Sequence, residues 1–455
     1  MATRLGFPPL DSYVDAASAP SFDVVAYMEE CLQRIAAVDP ALKAFVVTDP
    51  RRARDAAAAS AERRRAGAAL SPIDGMPVAV KDIIDTADFP TEMLSPIMAG
   101  NRPRFDAASV AALRRAGAIV VGKTVTTEFA CGRSGDTVNP HDPDRTPGGS
   151  SSGSAAAVGA GLIPAALGTQ TRASTIRPAS FCGAYGFKPS FGALDLGGTH
   201  PVCASLDHLG VIAGSLTDTW VVARIIAADA GGCLGKPPMA GPLELPAATA
   251  PRRVAIVRTP GWDEIDDATQ TAFDGYVARL VAAGADVRDP GTDVSLRAFE
   301  VLLDGSDQLA REIIGCEMGW PYRSYRDVDP STLSRTVHDY LAMGDRIDEA
   351  GYAERLARRA HIAGAFEALS AEYDLFLTLA ASPAPLGLEH TGSRAFITPW
   401  TLVGAPAISL PLLTVDGLPV GVQAVGPVGG DAALAARAGW LERRATFRQE
   451  QATAA

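Results

Sequence analysis

Two short serine- and glycine-rich stretches decide the reading of this chain: Gly148-Gly149-Ser150-Ser151-Ser152-Gly153-Ser154 and Gly168-Thr169-Gln170-Thr171-Arg172-Ala173-Ser174-Thr175-Ile176-Arg177-Pro178. The first runs straight into an alanine-rich apolar segment, which sets it apart from a flexible linker and predicts a small-residue helix over Ala155 to Ala160. A Gly-Gly pair followed by hydroxyls suits a tight turn that exposes several backbone N–H groups. Taken alone, such a loop reads as structural. Upstream, Met76 to Asp85 reads as a buried strand carrying Lys81 in Val78-Ala79-Val80-Lys81-Asp82. A serine hydroxyl is too weak an acid to attack an amide unaided and needs a base. No histidine is suitably placed, but a lysine can serve if burial or a neighbouring cation keeps it neutral. Taken alone, Lys81 reads as a lysine paired with Asp82 or Asp85.

Working outward, the 455 residues are 47% hydrophobic, enough for a large buried core. The net charge of −11 argues against nucleic acid or an anionic membrane as partner. The N-terminal Met1-Ala2-Thr3-Arg4-Leu5-Gly6-Phe7 lacks a secretory apolar region, and the longest apolar stretch, Ala155 to Leu167, is too short to span a bilayer. Six scattered cysteines without a Cys-x-x-Cys pair point to a reducing cytoplasm. Six histidines without ligand spacing give a metal site little support.

Strand and helix signals alternate up to about Ala228, which predicts an α/β layer fold. Ser21 reads as the cap of a helix over Phe22 to Val38 that ends at Asp39-Pro40. A strand over Lys43 to Thr48 follows. Asp49-Pro50 then opens an arginine-rich helix, whose basic cluster reads as a solvated surface. A helix over Ala107 to Ala116 leads to a strand over Ala118 to Val121. Residues 237–251, rich in Pro, Gly and Ala, read as a surface linker. Beyond them come a strand at Arg253 to Val257, helices from Asp267 to Ala371, and strands at Asp374 to Leu379 and Val420 to Val425. The expectation is one domain over residues 1–455, with its catalytic motifs in 70–230 and a more variable helical portion in 237–375.

One motif match is rejected on mechanism. Gly117-Ala118-Ile119-Val120-Val121-Gly122-Lys123-Thr124 fits the phosphate-loop pattern G-x-x-x-x-G-K-[ST]. That pattern works as a flexible loop whose amides wrap a phosphate between a strand and a helix. Here the variable positions form an apolar strand and a helix precedes them, so nucleotide binding is not expected.

Lys81 and the two serine motifs together resemble the amidase signature family. The likeness extends from the early Ala/Arg helix to Gly404-Ala405-Pro406-Ala407-Ile408-Ser409-Leu410-Pro411 and Gly417-Leu418-Pro419-Val420-Gly421-Val422-Gln423. Within the family, Lys81-Asp82-Ile83-Ile84-Asp85-Thr86, Pro90-Thr91-Glu92-Met93 and Gly168-Thr169-Gln170-Thr171 look most like malonamidase-type members. The resemblance implies a single large α/β domain with a central mixed sheet flanked by helices. It also implies hydrolysis of an amide or carbamate C–N bond with no metal or cofactor. Ser174 falls at the nucleophile, Ser150 at a bridging serine preceded by a cis peptide bond, and Lys81 at the base. The N–H groups of Thr171, Arg172, Ala173 and Ser174 fall at the oxyanion hole. Arg177, Gln170, Ser151 and Gly149 fall around the substrate, with Arg177 placed to meet a substrate carboxylate.

Four positions depart from the family pattern. Arg172-Ala173 replaces a Gly-Gly pair, Gln170 an aspartate and Ser152 a glycine, and an arginine follows the nucleophile by three positions instead of two. Arg172 is expected to favour anionic groups near the scissile carbonyl unless it turns away to pair with an acid. The expected partner is a small-molecule amide or carbamate, and a homodimer stays open. Two other classes stand beside the hydrolase: an amidotransferase subunit that releases ammonia for a partner, and a non-catalytic binding protein on the same scaffold.

Overall fold

The apolar runs Pro77–Lys81 and Ile119–Thr124 become strands buried on both faces. The computed structural model describes residues 4–233 and 235–446. Its strands are β1 (Phe45–Thr48), β2 (Pro77–Lys81), β3 (Ile119–Thr124), β4 (Ala165–Gln170), β5 (Tyr185–Lys188), β6 (His208–Ala213), β7 (Val254–Ile256), β8 (Val287–Arg288), β9 (Leu375–Leu379), β10 (Ala407–Val415) and β11 (Leu418–Val425). They form one eleven-stranded sheet in the order β1-β3-β2-β4-β6-β5-β10-β11-β9-β7-β8. β2 runs parallel to β3 and β4, and β7 parallel to β8 and β9. The other neighbours are antiparallel, so the sheet is mixed as expected.

Alternate residues of one strand enter different cores, as the two-residue period of a strand requires. Val78 and Val80 pack in a core with Leu113, Trp220 and Ile226. Ala79 and Val121 pack in another with Met28, Leu32, Ala57 and Ala155. Helices Val24–Leu42, Pro50–Arg65 and Ser152–Gly159 therefore cover one side of this part of the sheet, and Ala108–Arg115 and Leu216–Asp229 the other. All eight residues of helix Ser152–Gly159 are buried. Its small side chains have a cause: a Cβ on Gly153 would lie 2.2 Å from the Ala44 carbonyl oxygen.

Several boundaries differ from expectation for local reasons. The first long helix is capped by Asp23, not Ser21, and the Asp23 carboxylate accepts the N–H groups of Val25 and Ala26. It runs through Pro40 to Leu42 because a proline in the last turn forfeits only one interior hydrogen bond. The left-handed Lys43 closes it, and the Asp39 carboxylate takes the N–H groups of Ala44 and Phe45, so β1 begins at Phe45. β2 stops at Lys81, where the carbonyl accepts from both Ile83 and Ile84 and turns the chain. β3 continues to Thr124, flanked by β1 and β2. The linker at 237–251 has no helix or strand and is mostly exposed. The arginine-rich helix engages the protein's own acids: Arg54 pairs with Glu29, Arg63 with Asp74 and Arg65 with Glu62.

Candidate active site

Lys81 ends a strand buried along its whole length and is itself fully buried. Its Nζ lies 2.7 Å from Ser150 Oγ and 2.7 Å from Thr169 Oγ1 on the adjacent β4. The two acids beside it in sequence do not claim it. Asp82 pairs with Lys123 at 3.0 Å, and among the described residues Lys81 makes no ion pair. Burial pushes its pKa well below the ordinary lysine value, against weaker opposing pulls from the Asp207 carboxylate and the Cys131 thiol.

The Asp82–Lys123 pair also disposes of the phosphate-loop match. Lys123 Nζ is held by Asp82, Thr91 Oγ1 (2.7 Å) and the Pro90 carbonyl (3.1 Å), all within the fold. Gly122 is required because a Cβ there would lie 2.2 Å from the Val47 carbonyl oxygen on β1.

Ser150 follows a cis Gly149–Ser150 bond and precedes helix Ser152–Gly159. Ser174 lies in the loop between β4 and helix Ile176–Cys182. The loops are joined through Ser151. Its N–H donates to the Ser174 carbonyl (3.3 Å), and its Oγ lies 3.3 Å from both the N–H and the carbonyl of Thr169. Gln170, where the family pattern has an aspartate, caps the next helix. Its Oε1 accepts the N–H groups of Thr175 and Ile176, and its Nε2 donates to Thr401. Gln170 and Ser151 thus spend their polar atoms inside the protein, and Gly149 gives its carbonyl to Arg177.

The segment Thr171 to Ser174 is held from outside. Thr171 Oγ1 donates to Asp207 (2.6 Å), and the Arg172 carbonyl accepts from Thr401 Oγ1 (2.6 Å). Burial raises the Asp207 carboxyl to about 6. The four N–H groups from Thr171 to Ser174 donate to no acceptor among the described residues, and Ser174 Oγ has no hydrogen-bond partner among them. Ser150, Thr171, Arg172, Ser174 and Arg177 line one cavity of about 330 Å³.

Two arginines engage groups of the protein itself. Arg172 turns to an acid: its Nη1 reaches both oxygens of Asp307 (3.0 and 3.1 Å), and its Nη2 donates to Tyr340 (2.6 Å). Arg177 donates to the carbonyls of Gly392, Ser393 and Gly149 and to Thr391 Oγ1, so its terminal nitrogens brace loops. Sequence reasoning passed over Thr169, Asp207, Asp307, Tyr340, Arg311 and Arg394, all in or against this site. Thr169 stood inside a quoted motif and was legible as a neighbour of Lys81. The others come from segments with no motif of their own.

The amidase family model matches residues 26–435. This chain belongs to the amidase signature family. Relatives of this chain include a glutamyl-tRNA(Gln) amidotransferase subunit of Chloroflexus aurantiacus, 34% identical over 90% of this chain and 91% of that protein. The corresponding subunit of Symbiobacterium thermophilum is 32% identical over 95% of each. Among solved structures, a crystal structure of an amidase superposes with TM-score 0.81 at 29% identity, covering 95% of this chain and 98% of that one. A chain from a vestigial complex bearing on the origins of an s-triazine catabolic enzyme gives TM-score 0.82 at 28% identity, over 94% and 97%. The glutamyl-tRNA(Gln) amidotransferase subunit of Thermotoga maritima gives 0.75 at 26%, over 96% of each. None of these relatives is described as a malonamidase, so the narrower malonamidase-type likeness rests on the motifs alone. No helix among the described residues is long and apolar enough to cross a membrane.

Proposed function

We propose that this amidase hydrolyses the C–N bond of a small amide or carbamate through an acyl-enzyme on Ser174. One observation carries the reading: a fully buried lysine without an ion-pair partner among the described residues contacts the hydroxyl of a serine that shares a cavity with Ser174. A neutral amine has two N–H groups and one lone pair. Donation to Thr169 leaves the lone pair free for Ser150. In this reading Lys81 takes the Ser150 proton as Ser150 takes the Ser174 proton. Ser174 Oγ bonds to the carbonyl carbon, and the electron pair displaced onto oxygen meets the N–H groups of Thr171 to Ser174. Collapse breaks the C–N bond, and the proton returns through Ser150 to the leaving nitrogen. Water then attacks the acyl group by the same relay and frees Ser174. Unpaired cysteines throughout suit a cytoplasmic enzyme.

The test is turnover of small amides, anilides and carbamates by the purified chain alone, with Ser174→Ala as control. Near wild-type turnover by Ser174→Ala would contradict the reading. The relatives favour a second reading, an amidotransferase subunit that releases ammonia for a partner. Glutamine hydrolysis that appears only with added partner subunits would select it.

A further inference from the structure

The cavity at Ser174 is lined by an excess of cations that the hydrolysis does not use. Arg172, Arg177, Arg311 and Arg394 line it, beside the exposed Arg133, which donates to the Leu94 carbonyl. Asp307 lies close enough to Arg172, Arg177 and Arg394 to act on all three, but it is bound by Arg172 and Thr398. The lining carboxylate, Glu389, has a side chain 79% exposed and stands at the solvent-facing rim. Arg177 is 1% exposed and bonded to three carbonyls and a hydroxyl, with its Nε unpartnered among the described residues. It therefore adds a buried positive charge that no carboxylate meets.

Arg311 and Arg394 differ because their donors are free. A guanidinium carries five N–H donors. Among the described residues, Arg394 gives one, to Thr391 Oγ1 at 3.2 Å. Arg311 has no hydrogen bond or ion pair among the described residues. It lies 5.6 Å from the Tyr340 ring centre, and its Nε is buried without an acceptor. Burial, and after it the Arg172 charge, lower Arg394 to about 10, against weaker opposing pulls from Tyr340 and Asp307. Arg311 sits on helix Ser306–Glu317 and Arg394 just before helix Thr398–Leu402, so two separate elements deliver them to one cavity.

We propose that Arg311 and Arg394 form an anion subsite that takes a carboxylate carried by the substrate, so that the amide cleaved is a short amido-carboxylate. The inference rests on the acyl-transfer reading at Ser174. Planar forks of donors match a carboxylate, and both arginines share with Ser174 a cavity of about 330 Å³, which has room for a small amido-carboxylate. Arg172, the residue that the sequence suggested for this task, already has its acid in Asp307.

The test compares succinamate and glutaramate with 4-methylpentanamide, which replaces a carboxylate by an isopropyl group of similar shape. Ammonia release gives kcat/KM, and protection of Ser174 from a small neutral sulfonyl fluoride reports binding without turnover. Wild-type enzyme is expected to prefer the amido-carboxylates by at least about tenfold, and they should protect Ser174 at lower concentration. Arg311→Met and Arg394→Met should each cut the ratio of anionic to neutral kcat/KM roughly 10- to 100-fold, the effect of losing a charge-assisted hydrogen bond. Arg311 makes no structural bond among the described residues, so its variant should fold even if the Arg394 variant does not. A wild-type ratio near one, equal protection by the neutral amide, or an unchanged ratio in the variants would overturn the subsite while Ser174 still labels. Failure of Ser174 to label would overturn the acyl-transfer reading, and the subsite with it.

Discussion

Replacing Lys81 with methionine should do more than stop catalysis. It should change how stability depends on pH. In the folded protein the amine is fully buried and its pKa is depressed well below the ordinary 10.5. Between that depressed value and 10.5 the unfolded chain binds one more proton than the native state, so stability rises with pH. The stability tied to the neutral amine is complete above the unfolded value and is lost as pH falls towards the folded one. One proton corresponds to about 1.4 kcal/mol per pH unit, hence about 2 kcal/mol between roughly pH 8 and pH 9.5. Methionine keeps the apolar stem and cannot titrate. It also loses the contacts to Ser150 and Thr169, a pH-independent offset of about 1 kcal/mol each. Urea unfolding of both proteins across this range isolates Lys81, because every other titrating group is shared. The advantage of wild type over Lys81→Met should grow with pH at that slope. Wild-type kcat/KM should rise tenfold per unit up to the folded pKa and then level off. A stability difference that stays flat with pH would mean that Lys81 is charged in the native state, and the base assignment would fall.

Three further outcomes follow from the geometry. Ser150→Ala combined with Lys81→Met should cost little more in kcat/KM than the worse single variant, because both break one relay; a loss equal to the product of the two would contradict a shared relay. Arg172→Gly should lower stability by about 1–3 kcal/mol in thermal unfolding by removing the partner of Asp307, and it should widen the cavity mouth so that bulkier acyl groups gain most; equal scaling across acyl sizes would count against this. Lys123→Met should cost about 3–5 kcal/mol by stranding Asp82, which is 2% exposed, and millimolar ATP should leave the wild-type melting temperature unchanged. A rise with ATP would revive the phosphate-loop reading.

The mixed sheet followed from the family resemblance, and strands such as Pro77–Lys81 and Ile119–Thr124 were legible because strands buried on both faces write continuous apolar runs. Boundaries were less legible where side chains decide them. Asp23 outcompetes Ser21 as a cap, and Asp39 with Lys43 carries a helix past Pro40. The contact of Lys81 with Ser150, and the cavity that Ser150 shares with Ser174, agree with the grouping that the family resemblance implied. Whether Arg172 meets an anion or turns to an acid stayed open because its acid, Asp307, lies 135 residues away and no local pattern announces it. Arg311 and Arg394 escaped for the same reason: they reach the cavity only through the packing of two helical segments remote from the serine loops.

The central claim is that Ser174 carries the acyl group. Its most direct measurement is mass spectrometry of enzyme quenched during turnover of a slowly deacylating amide or carbamate. The account predicts an acyl adduct on the peptide containing Ser174, formed at the rate of amine release and absent from Ser174→Ala. Steady turnover with the adduct on Ser150 or Cys131, or with no adduct when deacylation is blocked, would contradict it.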